Sequence, residues 1–406
     1  MKLKALLSPL VLAISGACLS ANIAVANDAG QDIAQDTAQL DVADSLREQQ
    51  VYRRDRPLWK EPQDTTMAMN DPDLYAWRLF IALNWPGNRD NCKADRNKEF
   101  GAEGYATWQL WREVEQTFLP KAEEPKSWRD ACRTATDAEL FDRPTDPRYT
   151  TLEDEDTRLN KAAYNHVRDN KLYSRDEQER LVKAGVKSLV FPLKAKEAKA
   201  NWVRIEEADK PRYHWVETVQ DGVTEIWGLA GLHIMTRDMP KWHWSTFEHV
   251  DNETRWPSVY PEAFRGWDEV PSVDRASCPE DNLACNKFPE GLGIEGTRWE
   301  NYRLRGSQID WVDNRGNPTV LPNSKIEGDF DQGSMSCMTC HALAVKGESN
   351  DGHFPIGLNP GVNEQGLPMG YIGAPDPELF LDENGEEVNY MELDFMWSLR
   401  HAQREE

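Results

Sequence analysis

Beyond its first 26 residues this 406-residue chain has no apolar run long enough to span a bilayer, so no membrane helix is expected after them. Basic charge is scarce. Of 47 Lys and Arg, two (Lys2 and Lys4) lie in those first residues, leaving 45 against 70 Asp and Glu. That balance argues against nucleic acid as a partner. An acidic surface could instead steer a basic protein partner, although a solvated, solubilising face is the simpler reading. No internal repeat is present, and no alternation of strands and helices of the βαβ kind. Cysteine is also sparse, with seven residues, of which only Cys337 and Cys340 stand three positions apart.

The first 26 residues have the three parts of a secretory signal: basic Lys2 and Lys4, an apolar stretch from Ala5 to Ala17, and Ala24-Val25-Ala26 as a cleavage site. The mature chain would begin at Asn27. An uncleaved anchor is disfavoured by Pro9 and several serines, and a lipoprotein acylated at Cys18 by Ser15-Gly16-Ala17, which lacks the usual aliphatic residue. The expectation is a protein exported to the periplasm.

Residues 337 to 341 read Cys-Met-Thr-Cys-His. Two thiols three positions apart stand about one helical turn from each other, a spacing suited to thioether bonds with the two vinyl groups of one porphyrin. His341 would then be the proximal iron ligand. Thioredoxin-like redox pairs and zinc sites also use Cys-x-x-Cys. Here no second such pair and no His-x-x-x-His follows. The motif resembles that of c-type cytochromes, and the resemblance implies one covalent haem c on Cys337, Cys340 and His341.

With Cys18 in the leader and two cysteines on haem, Cys92, Cys132, Cys278 and Cys285 remain as disulfide candidates in an oxidising compartment. Four cysteines allow three connectivities. Proximity along the chain favours Cys278 with Cys285 and Cys92 with Cys132.

The expected fold class is α+β: a helical N-terminal part and an antiparallel β meander, then a mainly helical and loop segment for haem. Residues 27–68, rich in Asp, Gln and Ala, read as a disordered linker. A Trp-rich α+β domain would span 69–299. Asp71-Pro72 starts a helix carrying Leu74, Trp77 and Ile81, stopped by Pro86. Trp108, Trp111 and Phe118 suggest a second helix ending at Pro120. A solvated helix is expected within 153–170. Ser174 and Glu177 form a capping box for a further helix, closed by Gly185.

From about residue 187 the apolar period changes to two. Segments 198–205, 212–219, 223–235 and 242–250 read as strands, with Asp221-Gly222 as a hairpin turn. Residues 251–298 read as a long loop. Another turn is expected at Asp313-Asn314-Arg315-Gly316.

The haem-binding segment would occupy 300–406, with Ser334 capping the attachment helix, a Gly/Pro-rich loop from Asp351 to Pro377, and a last helix opening near Asn389. This order resembles the cytochrome c fold over about the last hundred residues. It departs in having a turn-rich stretch, Leu321 to Ser336, where a cytochrome c has a long N-terminal helix. The strings Trp242-His243-Trp244-Ser245-Thr246-Phe247-Glu248-His249 and Asn301-Tyr302-Arg303-Leu304 are similar to those of large secreted bacterial proteins with one c-type haem and no settled activity.

The sixth iron ligand separates a carrier from an enzyme. Methionine sulfur opposite His341 suits electron transfer, whereas an open position permits peroxide or oxygen chemistry. Met369, flanked by Pro368 and Gly370, is the first candidate. Met391 and Met396 fall at core positions of the expected last helix, and His353 is the alternative as ligand or distal base. His243 and His249 stand about 20 Å apart on a strand at roughly 3.3 Å per residue, too far to share a metal. Glu248, His249 and Asp251 could make a polar site at the strand end or be hydrogen-bonded structure. His233 reads as a core histidine. Asp382-x-Asn384-Gly385 is a partial calcium pattern that reads as a turn. The favoured function is a periplasmic electron-transfer cytochrome with an unidentified redox partner. The alternatives are a haem enzyme of peroxidase or oxygenase type, with the Trp-rich part as pocket, and a haem-based sensor.

Overall fold

The computed structural model describes residues 57–62, 65–141, 156–220, 222–252, 288–326, 330–348, 361–364, 366, 368–382 and 384–406. The leader, residues 27–56 of the expected linker, Asp221, Cys278, Cys285 and His353 lie outside them. Residues from Leu58 to Glu406 form one compact unit.

The described α-helices are α1 (Thr66–Asn70), α2 (Pro72–Leu83), α3 (Val114–Thr117), α4 (Trp128–Thr134), α5 (Lys161–Asp169), α6 (Arg175–Lys183) and α7 (Cys337–Ala342). The strands are β1 (Gly87–Asn88), β2 (Lys93–Ala94), β3 (Arg112–Glu113), β4 (Asp156–Leu159), β5 (Lys196–Arg204), β6 (Trp215–Gln220), β7 (Val223–Thr236), β8 (His243–His249), β9 (Tyr302–Gln308), β10 (Val345–Gly347) and β11 (Tyr390–Glu392). Helices beside a large antiparallel sheet make the chain α+β.

Seven strands form that sheet in the order β3-β4-β5-β7-β8-β9, with β6 also pairing β7. The long β7 meets β5 along one edge, while β6 and then β8 follow each other along the opposite edge. Gln220 pairs with Val223 across the expected two-residue turn, where Gly222 adopts a φ of 81° that favours glycine. The meander therefore follows the period-two pattern. Strand β9, at the start of the segment assigned from sequence to haem, is the last strand of this sheet, antiparallel to β8.

One face of the sheet carries α2. The Asp71 carboxylate accepts the Leu74 N–H (3.1 Å), and Pro72 opens the helix at a position that needs no donor. Phe80 stacks on Phe247 of β8 at 4.2 Å, and the Pro72 carbonyl accepts from His243 Nε2 (3.0 Å) and Ser307 Oγ (3.1 Å). The other face carries the chain after residue 320. Leu321, Cys337, Met338, Met391 and Met396 share one apolar core with Met235, Trp242 and Trp244.

Several local expectations require correction. Order starts before Asp71, because Met67 and Ala68 of α1 are buried. The second helix is replaced by a 3-10 turn (Thr107–Leu110), β3 and the single-turn α3. Arg112 is drawn into the sheet opposite Leu159, and its guanidinium donates to the Ala131 and Leu110 carbonyls. Within 153–170 the chain first forms β4, where Asp156 and Arg158 make a fully buried ion pair at 2.6 Å, and only then α5, which buries Ala163, Tyr164 and Val167. The expected last helix does not form among the described residues: Met391 lies in β11 opposite Lys346, followed by a 3-10 turn over Trp397–His401. Ser174 does cap α6, accepting the Glu177 N–H, and Gly185 closes it with a φ of 83°.

Cys92 and Cys132 form a disulfide with Cα atoms 5.9 Å apart. It ties the β1–β2 region to α4 among Leu110 and Leu140. The turn at 313–316 is present, with the Gly316 N–H donating to the Asp313 carbonyl. Asp382 is also a turn residue, accepting the Asn384 and Glu386 N–H groups. Among the described residues no helix is long and apolar enough to cross a membrane.

Candidate functional site

Helix α7 presents the Cys-x-x-Cys-His motif. Its cap is Ser336, two residues later than expected: the Ser336 hydroxyl accepts the Thr339 N–H at 3.2 Å. Ser334 instead accepts the Gly370 N–H at 2.9 Å. Buried Gln308, at the end of β9, fixes this cap to the sheet. Its amide nitrogen donates to Ser336 Oγ (2.7 Å) and Thr319 Oγ1 (2.8 Å), and its oxygen accepts the Met338 N–H (3.0 Å). The first turn of α7 is thus held by the side chain of a strand residue 30 positions away.

Cys337 is buried against Leu321, while Cys340 and His341 are half-buried one turn further on. His341 Nδ1 lies 2.7 Å from the Phe395 carbonyl oxygen. Since a carbonyl only accepts, Nδ1 carries the proton and Nε2 the lone pair. The Trp244 ring meets the His341 ring edge-on at 4.7 Å, Phe395 stacks on Trp311, and Trp397 Nε1 donates to the Cys340 carbonyl (3.1 Å). Aromatic side chains from three separate parts of the sequence therefore surround the motif.

The Phe395 carbonyl is itself held in an unusual conformation. Asp394 and Phe395 have φ values of 49° and 66°, in the left-handed region that β-carbons disfavour. The Asp394 carboxylate accepts from the Phe191 N–H (2.7 Å), Arg237 Nε (3.1 Å) and Trp242 Nε1 (3.2 Å). These bonds hold the backbone that orients His341.

A small cleft, with room for about one water molecule, lies beside the motif, lined by Cys337 and His341 and by Trp244, Glu197, Lys199 and His233 of the sheet. Glu197 is buried and accepts from Ser398 Oγ; burial pushes its carboxyl above the usual range. His233, read from sequence as a core histidine, is half-buried and faces this cleft. Its apolar sequence neighbours concealed that placement, because only the pairing of β5, β7 and β8 brings it to the cleft that residue 341 also lines.

Met369 is half-buried in a loop whose neighbours dock on the stretch leading into α7: Gly370 on Ser334, and the Gly373 carbonyl on Thr339 Oγ1 (2.7 Å). It is not among the described residues that line the cleft. Met391 and Met396 are fully buried in the core.

The histidines of β8 are structural. His249 stacks on Tyr213 at 3.5 Å and its Nε2 meets the Arg212 carbonyl at 3.1 Å. Glu248 accepts the Ser324 N–H and hydroxyl, both at 2.6 Å, and Asp251 pairs with Arg212. Burial pushes His243 down to about 4, and His214, bonded to Gln109, down to about 3.

The donor set, two thiols and one imidazole, is of the kind that holds a haem c. The two cysteines share one helical turn, and the hydrogen bond that Nδ1 donates leaves Nε2 for iron, the orientation that metal-bound imidazoles take. The chain matches no model of a known protein family, no curated protein and no solved structure.

Proposed function

We propose that this chain is an exported c-type cytochrome that carries one haem on Cys337, Cys340 and His341 and relays electrons in the periplasm. The observation that carries this reading is the 2.7 Å bond from His341 Nδ1 to the Phe395 carbonyl, which readies Nε2 as a metal ligand within a Cys-x-x-Cys-His motif. Bound there, a haem supplies an iron that takes up and gives back one electron.

The chain's own residues do the rest. Gln308 and Ser336 hold the attachment turn, Asp394 fixes the carbonyl that orients His341, and Trp244, Trp311 and Phe395 exclude water from one side. The Cys92–Cys132 disulfide agrees with an oxidising compartment and with the leader of residues 1–26. The acidic excess suits a basic redox partner. In keeping with the cytochrome resemblance, the attachment helix is retained, although its flanking elements are strands and turns.

A haem enzyme is the second reading, favoured by the polar groups Glu197, Lys199 and His233 in the cleft. The two are separated by spectra of the haem-loaded protein, oxidised and reduced, with and without carbon monoxide. A relay is expected to ignore carbon monoxide; rapid carbon monoxide binding, with turnover of peroxide or oxygen, would transfer the assignment to the enzyme.

A further inference from the structure

We infer that electrons reach and leave the haem through Trp311 at the surface, by way of Phe395 and the hydrogen bond on His341. The inference rests on the c-type haem reading above. His341 Nδ1 donates to the Phe395 carbonyl at 2.7 Å, so the imidazole that offers Nε2 to iron is joined on its other side to Phe395. The Phe395 ring stacks on the Trp311 ring, with centroids 6.0 Å apart and 27° between their planes. Trp244 packs beside this pair, its ring 4.7 Å from that of His341 and 6.1 Å from that of Phe395. Electron tunnelling weakens steeply with distance, and less steeply through bonded and hydrogen-bonded atoms than through gaps. From Nε2 to the indole of Trp311 the route has one hydrogen bond and one ring contact, and every other step is covalent.

Trp311 is where this route meets solvent. The residue is half-buried, and Val312 beside it is 43 % exposed. The turn at 313–316 holds it in place: the Thr319 N–H donates to the Trp311 carbonyl (3.0 Å) and the Asp313 N–H to the Asn317 carbonyl (2.8 Å). Lys241 Nζ lies 5.3 Å from the centroid of the Trp311 ring and pairs with Asp310 at 2.6 Å, which fixes the indole further. A one-electron redox partner therefore has to bring its own centre against this indole. The partner is then oxidised and ferric iron reduced, or the reverse, with no bond made or broken.

The test uses the full chain loaded with haem and carrying a ruthenium photosensitiser on a single introduced cysteine, Val312→Cys beside Trp311 or, as the control, Ile372→Cys. Ile372 is 44 % exposed and belongs to the loop that docks on α7 through the Gly373 carbonyl and Thr339 Oγ1 (2.7 Å). A flash makes the sensitiser give one electron to ferric haem, and absorbance reads the rate of iron reduction. Trp311→Leu is expected to slow transfer from position 312 several-fold, to leave transfer from position 372 unaltered, and to keep the covalent haem content and absorption spectrum of its parent. Trp311→Phe, which keeps an aromatic ring against Phe395, should recover most of the rate. Transfer from position 312 unaltered by Trp311→Leu, or slowed equally from both positions, overturns the proposal. Should Trp311→Leu fail to fold, Phe395→Leu, which keeps the carbonyl on His341 and removes the ring, decides by the same comparison. Absence of covalent haem from the wild type, read by mass after denaturation, overturns the cytochrome reading itself, and this proposal with it; an unaltered rate in protein that carries haem overturns this proposal alone.

Discussion

The Phe395 carbonyl accepts a 2.7 Å hydrogen bond from His341 Nδ1, joining the last residue of a Cys-x-x-Cys-His motif to a backbone group 54 positions downstream. The residue that makes this geometry possible is Asp394, whose carboxylate ties the left-handed 394–395 backbone to Phe191, Arg237 and Trp242.

Replacing Asp394 should therefore act on His341 at a distance. Asp394→Ala removes the partner of Arg237 and three accepted hydrogen bonds, and is expected to cost roughly 3 kcal/mol of stability. It should also change the reduction potential of the haem-loaded protein. Asp394→Asn, which keeps part of the bonding, should restore most of the potential. Denaturant titration and potentiometry on both variants test this; a loss of stability with an unaltered potential in both would limit Asp394 to a structural role.

Gln308 is the bolt between sheet and attachment helix. Gln308→Ala leaves the buried Met338 N–H without its partner, at about 1–3 kcal/mol, and removes one of the bonds to the Ser336 hydroxyl, which keeps Thr339. Proteolysis or hydrogen exchange should show α7 opening well below the global unfolding free energy. Unchanged protection at residues 337–342 would mean that the cap holds by itself.

Acid should destabilise the protein partly through two buried histidines. His214 and His243 are held at about 3 and about 4 by burial, below the unfolded value near 6.5. Between these limits the unfolded chain binds more protons than the folded one, so stability falls as pH falls. The slope is about 1.4 kcal/mol per pH unit for each histidine. His243→Gln should flatten the dependence of the urea midpoint on pH between 6 and 4 relative to the wild type, by roughly one such slope. An unchanged slope would show that His243 is not buried in its neutral form.

The disulfide should matter in its own right. Cys92→Ala with Cys132→Ala opens a 40-residue separation and is expected to cost roughly 4 kcal/mol by loop-closure entropy. The loss should be seen in thermal unfolding without change in haem content. Equal stability of the oxidised and reduced wild type would contradict it.

Sequence revealed what is locally encoded. Asp71-Pro72 gave the start of α2, Ser174, Glu177 and Gly185 bounded α6, and the period-two pattern marked the four strands from Lys196 to His249, because capping and alternation depend on near neighbours. Elements decided by distant partners were misjudged. Arg112 is extended because Leu159 pairs with it, and Met391 is in a strand because Lys346 does. At the site, residues 337 to 341 were legible from spacing alone. The Phe395 carbonyl, Gln308 and His233 were not, since each reaches the motif only through tertiary packing.

The most direct measurement is the intact mass of the purified protein, produced in a host that assembles c-type haem, compared with Cys337→Ala/Cys340→Ala. The account predicts a wild-type mass that begins at Asn27 and includes one covalent haem, and a double variant without it. A wild-type mass equal to the polypeptide alone, or haem retained by the double variant after denaturation, would contradict the assignment.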